Sequence, residues 1–271
     1  LANYGGLAPT LPLLPGSVAI NAGTNVSTPT TDQRGIARPQ VSTVDVGAFE
    51  SRGFTLAISG GNPQSALIGA AFANPLAVTV TPVSAGEPVQ GGRVTYTPPG
   101  AGASASLATS PATINASGVA SVSATANTTV GSYAVAANAN GNSGAALGFA
   151  LQNSAPGLSI DDVTQAEGSG GTSTFTFTVS LSAPAGVGGV SFDIATANGT
   201  AISVNDYVVS SLTGQTIAAG NSSRTFVVTV SGDTTFEANE TFFVNVTNVT
   251  GASVTDGQGL GTINNDDVAP T

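Results

Sequence analysis

Between Thr174 and Leu181 the chain alternates without a break. Phe175, Phe177, Val179 and Leu181 fall on one side, and Thr174, Thr176, Thr178 and Ser180 on the other. A period of two sends successive side chains to opposite faces of an extended backbone, so such a run builds a strand with one apolar face and not a helix. The pattern recurs in Phe226, Val228 and Val230, in Phe242, Val244 and Val246, and earlier in Leu76, Val78 and Val80 and in Tyr133, Val135 and Ala137. Helical periodicity is nearly absent, and Gly, Pro and Asn separate the runs. Short strands between such turn residues pack as antiparallel sandwiches. The expected fold class is all-β.

Composition removes most chemistries. The chain of 271 residues, long enough for two or three domains, has no Cys and no His, and its five cations are Arg34, Arg38, Arg52, Arg93 and Arg224. Disulfides, thiolate zinc sites, cysteine nucleophiles, Ser-His-Asp triads and imidazole-based metal sites are excluded. Lacking Lys, the chain forms no Schiff base and no Lys–Asn isopeptide crosslink. A net charge of −10 argues against nucleic acid and anionic membrane surfaces. Ala66 to Val80, broken by Asn74 and Pro75, falls short of the roughly 20 apolar residues that span a bilayer. No basic and apolar leader follows Leu1, so any secretion signal lies outside this sequence. Only 7% of residues are charged, while Thr, Ser, Asn and Gly abound. A cysteine-free surface kept soluble by hydroxyls and amides fits a secreted or surface-exposed bacterial protein.

Eleven of the fifteen acidic residues lie between Leu158 and Asp267, a stretch whose one cation is Arg224. Glu167 sits in a Gly/Ser loop, Asp233, Glu237 and Glu240 share a turn, and Asp266 and Asp267 close the last strand. Carboxylates gathered in loops repel one another unless something neutralises them. A hard divalent cation with oxygen ligands does so, and calcium takes six to eight. The competing reading makes these acids turn formers that cap backbone N–H groups. Asp206-Tyr207 reads as a packing and turn element rather than a catalytic pair.

Three segments differ in character. Residues 1–52 hold five prolines and three of the arginines. Leu14-Pro15-Gly16-Ser17, Ala19-Ile20-Asn21-Ala22-Gly23, Asp32-Gln33-Arg34-Gly35 and Asp45-Val46-Gly47-Ala48-Phe49-Glu50 resemble the C-terminal coils of bacterial right-handed parallel β-helix surface proteins. Asp32, Arg34 and Asp45 form either a catalytic cluster of the polysaccharide-lyase kind or, the favoured reading, an ion-paired cap in which Arg34 or Arg38 meets Asp32 or Asp45. Residues 53–152 carry two charges, Glu87 and Arg93. The pieces Gly60-Gly61-Asn62-Pro63-Gln64, Phe72-Ala73-Asn74-Pro75-Leu76, Gly118-Val119-Ala120 and Gly131-Ser132-Tyr133-Ala134-Val135 resemble invasin/intimin-type bacterial Ig-like sandwiches, which serve mostly as spacers.

Residues 153–271 resemble a Calx-β domain. The matching pieces are Ala166-Glu167-Gly168, Thr196-Ala197-Asn198-Gly199-Thr200-Ala201, Asn205-Asp206-Tyr207, Phe236-Glu237-Ala238-Asn239-Glu240-Thr241-Phe242 and Gly261-Thr262-Ile263-Asn264-Asn265-Asp266-Asp267. The resemblance implies an antiparallel sandwich with calcium ligands at one end. It assigns Glu167, Asp233, Glu237, Asp266 and Asp267, with Glu240 and the Thr235 carbonyl secondary. Asn198 and Asn265 stand where the family often has Asp, and Gly232 replaces another acid. One or two weakly held ions are expected, because ligand charge tunes affinity.

Together these resemblances imply a stalk segment of a large secreted or cell-surface bacterial adhesin-type protein, without enzymatic activity. Its partners would be neighbouring repeats or copies of itself, with any cell-surface or glycan ligand elsewhere in the full protein. Val268-Ala269-Pro270-Thr271 echoes Ser154-Ala155-Pro156-Gly157 and reads as a linker into another repeat. Two alternatives stand beside the stalk: a non-covalent subunit of a homopolymeric extracellular filament, and a carbohydrate-active enzyme using paired carboxylates.

Overall fold

A computed structural model describes residues 1–26 and 29–269. Among them there is no helix, so none long and apolar enough to cross a membrane. The chain divides into two compact units, Leu1–Ser154 and Ala155–Thr271.

The first unit holds strands β1 (Phe54–Gly60), β2 (Gln64–Leu67), β3 (Leu76–Pro82), β4 (Arg93–Thr97) and β5 (Ala105–Leu107). They are followed by β6 (Ala112–Thr113), β7 (Val119–Val122), β8 (Ala124–Ala126), β9 (Gly131–Asn138) and β10 (Leu147–Ser154). Sheets β1-β3-β7 and β2-β10-β9-β4-β6 face each other, and β5 pairs with β8. Leu76, Val78 and Val80 point inward with Phe54, Val94, Val135 and Phe149, as the alternation requires. Buried Tyr96 keeps its hydroxyl satisfied by donating to the Ala120 carbonyl at 2.8 Å.

Residues 1–52 do not form the strands that β-helix coils would supply. Their described part has two isolated antiparallel bridges, Ala2 with Thr10 and Thr31 with Ala37, and otherwise turns. The segment is built onto the sandwich: Ile20 joins its core, and Arg93 N–H donates to the Pro15 carbonyl at 2.7 Å. Backbone donors that would enter a ladder go to buried carboxylates instead. Asp32 accepts from the N–H groups of Arg34, Ile36 and Glu50, Asp45 from Asn21 and Ser51, and Glu50 from Gln40 and Asp45. Arg34 pairs with Asp32 at 2.8 Å, lies 3.5 Å over the Phe49 ring and reaches Glu87 at 3.5 Å. Arg38 pairs with Glu50 at 3.6 Å rather than with either expected aspartate. Burial drives the Asp32 carboxyl up, but its three backbone hydrogen bonds and Arg34 outweigh this and hold it below the ordinary value.

The second unit contains β11 (Gly157–Ile160), β12 (Val163–Ala166), β13 (Gly171–Leu181), β14 (Val190–Asn198) and β15 (Ser211–Ile217). After them come β16 (Ser223–Gly232), β17 (Glu240–Thr250), β18 (Ser253–Asp256) and β19 (Gln258–Asn264). The sheets run β16-β13-β11-β18 and β12-β19-β17-β14-β15. Phe175, Phe177, Val228, Val230, Phe242 and Val244 are wholly buried between them. Phe242 is the hub: it stacks on Tyr207 at 4.8 Å and meets Phe175 and Phe177 at 5.8 and 5.9 Å. Gly261 faces that ring, and a Cβ there would collide with it.

Register places the strand ends. Gly171 pairs with Gly232, Asn198 with Phe242, Ala166 with Asn264, and Glu240 with Ile263. The ends of β12, β14, β16 and β19 and the starts of β13 and β17 therefore share one end of the sandwich. Leu158, near the start of β11, pairs with Leu181 at the other. The Val268-Ala269-Pro270-Thr271 linker reading rests partly on Pro270 and Thr271, which lie outside the described residues.

Candidate metal centre

The loops leaving those strand ends carry the acids. Glu167 follows β12, Asp233 follows β16, Glu237 and Glu240 lead into β17, and Asp266 and Asp267 follow β19. Glu167 N–H donates to the Asn264 carbonyl, and Gly168 N–H to Asp266 Oδ1 at 3.2 Å, which tie the first loop to the last. One carboxylate oxygen from each of Glu167, Asp266 and Asp267 lies within 4.8 Å of the others. A second triad with the same spacing joins Glu237 and Glu240 to Asp206. Asp233, exposed, accepts from Thr235 N–H and belongs to neither triad.

Glu167 is 7% exposed, and among the described residues no donor meets its carboxylate. Burial first, then the charges of Glu237, Asp233, Asp267 and Asp266, push this carboxyl above its ordinary value. Burial and the adjacent Asp206 carboxyl push Glu240 up to about 7, with Glu237 and Glu167 adding to the effect. Asp267 Oδ2 is buried with no hydrogen-bond partner. Among the described residues every ion pair lies in the first unit, and Arg224 donates to Thr216 and Gln215 instead. An unpaired buried carboxylate costs several kcal/mol unless it is protonated or meets a cation. The ligand atoms are all carboxylate oxygens, which suits a hard cation such as calcium, magnesium or manganese rather than zinc or copper.

Local geometry bears on three further positions. Asn198 Oδ1 accepts from Ser203 N–H at 3.0 Å and from the Tyr207 hydroxyl, so it braces the 201–207 loop. Asn265 accepts from Glu237 N–H at 3.0 Å and donates to the Asp267 carbonyl at 3.1 Å, holding two acidic segments together. Gly232 carries no acid because a Cβ there would collide with the Gly168 carbonyl and lie 2.7 Å from that of Glu167. The residue that sequence reasoning missed is Asp206. Its signal was the Asn205-Asp206-Tyr207 motif, whose aspartate reads locally as a turn former and indeed accepts from Ile202 N–H at 2.6 Å. A cleft of about 260 Å³ between β15 and β16 is lined by Phe192, Ile194, Leu212 and Phe226 with Arg224, and by no carboxylate.

An all-β sandwich with an oxygen-donor cluster on the loops of one end defines the class of module. Residues 155–267 match the family model of the Calx-beta domain. Among solved structures, the apo-form Calx CBD1 domain is 19% identical, with 42% of this chain and 99% of that one covered at a TM-score of 0.35. The Yersinia pseudotuberculosis adhesin InvE is 16% identical, with 78% and 58% covered and a TM-score of 0.34. Invasin, described as a bacterial integrin-binding protein, is 21% identical, with 80% and 40% covered and a TM-score of 0.39. The match thus spans less than two thirds of each of these two proteins. Comparison with curated proteins found no match.

Proposed function

We propose that this chain is a non-enzymatic stalk segment of a secreted or cell-surface bacterial protein of the adhesin type, and that calcium stiffens its C-terminal sandwich. The observation that supports this best is the Glu167, Asp266 and Asp267 triad, in which Glu167 is a buried residue, Asp267 Oδ2 is buried without a hydrogen-bond partner, and no cation pairs with the acids among the described residues. Asp233, Glu237, Glu240, Asp266 and Asp267 would complete the ligand set, with Asn198 and Asn265 as positioning residues. The chain leaves the sandwich directly after Asp267, so an ion there orders the exit toward whatever follows. Residues 1–52 resemble, by their motifs alone, the closing segment of a β-helix, while their described part forms turns and not coils; an Ig-like spacer (53–152) and the calcium module (153–271) would follow. Neighbouring repeats are the natural partners of such a piece, and a glycan or cell-surface ligand belongs elsewhere in the full protein.

Calorimetric titration of the chelator-treated chain with calcium tests the reading. Extracellular calcium modules bind with Kd of about 10⁻⁴ to 10⁻³ M. Millimolar calcium then adds about 0.4 to 1.4 kcal/mol per site, a rise of a few degrees in Tm. No binding heat and an unmoved Tm at tens of millimolar calcium would leave the acids as turn residues and the module as a metal-free spacer.

A further inference from the structure

We propose that the apolar cleft between β15 and β16 binds a small apolar carboxylate, with the tail in the cleft and the charge on Arg224. Such a site does not depend on calcium and lies on the flank of the sandwich, away from its acidic loops.

β15 and β16 are edge strands of the two facing sheets. At one end of the cleft Arg224, on β16, reaches across to β15. Its Nη1 donates to the Thr216 carbonyl at 2.9 Å and its Nη2 to Gln215 Oε1 at 2.7 Å. At the other end Tyr207 bridges to Val230, and Val208 N–H donates to the Thr229 carbonyl at 2.8 Å. Between these two closures the sheets part, because β15 bends away. Its register against β14 slips between Phe192 and Ile194, Gly214 takes a φ of +62°, and Asp193 Oδ1 holds the Gly214 N–H at 2.7 Å. A bulge of this kind bends an edge strand. Leu212 is left 43% exposed on one lip and Val227 49% exposed on the other. The opening is about 260 Å³, and its floor is Val179, Phe192, Ile194 and Phe226, all buried.

Charge decides what the cleft takes. Arg224 is the one cation of the second unit, and its partners are two neutral acceptors and no carboxylate. Asp193, on the adjacent strand, has its two oxygens taken by Gly214 N–H and Asn248 Nδ2. The acidic loops begin after Gly232, at the far end of β16. At about 3.3 Å per residue that end is about 26 Å from Arg224, or about three Debye lengths at physiological salt. The acids there do not cancel the pull of Arg224 on an anion. Its guanidinium has N–H groups to spare and suits a planar carboxylate. The volume falls just short of the roughly 300–1,000 Å³ of sites for drug-sized ligands, which limits the tail to a short chain or a single ring. A sugar would lose its hydration against the apolar floor without replacing it.

Equilibrium dialysis of the full chain against octanoate, and separately against the neutral octanol, tests the assignment. The parent is expected to bind one octanoate per chain. Arg224→Gln should hold octanoate about tenfold more weakly and octanol as well as the parent does. Leu212→Glu, which sets a like charge on the lip, should also weaken octanoate. Far-UV circular dichroism checks folding, and Leu212→Glu carries the test if Arg224→Gln misfolds. No octanoate bound by the parent, or folded variants that bind it as the parent does, would overturn the site. A concentration-dependent dimer that Leu212→Glu abolishes, with no octanoate bound, would overturn it too and make the cleft a contact between copies. None of these outcomes bears on the calcium reading.

Discussion

Replacing Glu167 by Gln removes the most deeply buried charge of the cluster while keeping its shape. In calcium-free protein the ionised carboxylate lies within 4.8 Å of Asp266 and Asp267 oxygens. One such repulsion is worth about 3.5 kcal/mol at an effective dielectric of 20 and about 0.9 kcal/mol in bulk water. Asp266 is exposed, so screening favours the lower part of that range, and a buried carboxamide left without partners returns some of the gain. A net stabilisation of about 1 kcal/mol is expected in chelator, which for a unit of this size raises Tm by about 4 °C. Calcium should stabilise the parent by a few degrees and the variant hardly at all, so the gap closes or reverses as calcium rises. Differential scanning calorimetry in chelator and in 10 mM calcium measures both arms. A Glu167→Gln variant less stable than the parent in chelator would refute the reasoning, because the carboxylate would then be doing favourable structural work without a cation.

Other consequences are as direct. Glu240 has a folded-state pKa of about 7 against 4.5 for the free side chain, so the folded form binds protons more tightly. Its ionisation therefore destabilises the apo domain above pH 7, and Tm of calcium-free protein should rise as pH falls from 7 toward 4.5. Saturating calcium should flatten that slope, and a slope unaffected by calcium would separate Glu240 from the metal. Arg34→Ala strips buried Asp32 of its partner while Glu87 keeps Arg52, and should cost about 3–5 kcal/mol, read by denaturant unfolding of the first unit. Gly232→Asp adds a carboxylate where the Gly168 carbonyl leaves no room; calcium titration should show weaker binding despite the extra charge.

The strands were legible because each sandwich face is dry. Phe175, Phe177 and Val179, then Phe226, Val228 and Val230, then Phe242, Val244 and Val246, all lie inside, as the alternation demands. The convergence of Glu167, Glu237, Asp266 and Asp267 was legible only through the Calx-β resemblance, since they are brought together by pairings such as Ala166 with Asn264, nearly a hundred residues apart. Asp206 escaped because its short-range bond to Ile202 is what any turn aspartate makes; its approach to Glu240 follows from Tyr207 docking on Phe242. In residues 1–52 the repeating small and apolar residues suggested coils. Coil strands need neighbours to complete their ladders, and here buried carboxylates take up those backbone groups.

The two charged clusters answer the same problem, carboxylates out of water, in different ways. In the first unit Asp32, Glu50 and Glu87 are buried with Arg34, Arg38 and Arg52 beside them, so their charges are compensated within the chain. In the second, buried Glu167 has no such partner, so it is relieved only by protonation or by a cation from solution. The core there does not depend on that supply. Burying one Phe is worth about 1.5–3 kcal/mol, and Phe175, Phe177, Phe192 and Phe242 are nearly fully buried. About 1 kcal/mol from millimolar calcium is small beside this and cannot decide whether the sandwich folds. It is comparable with the free energies that open and close surface loops. On the proposed reading, calcium would therefore act on the order of the 167–171, 201–207, 233–240 and 265–267 loops and leave the strands behind them unchanged.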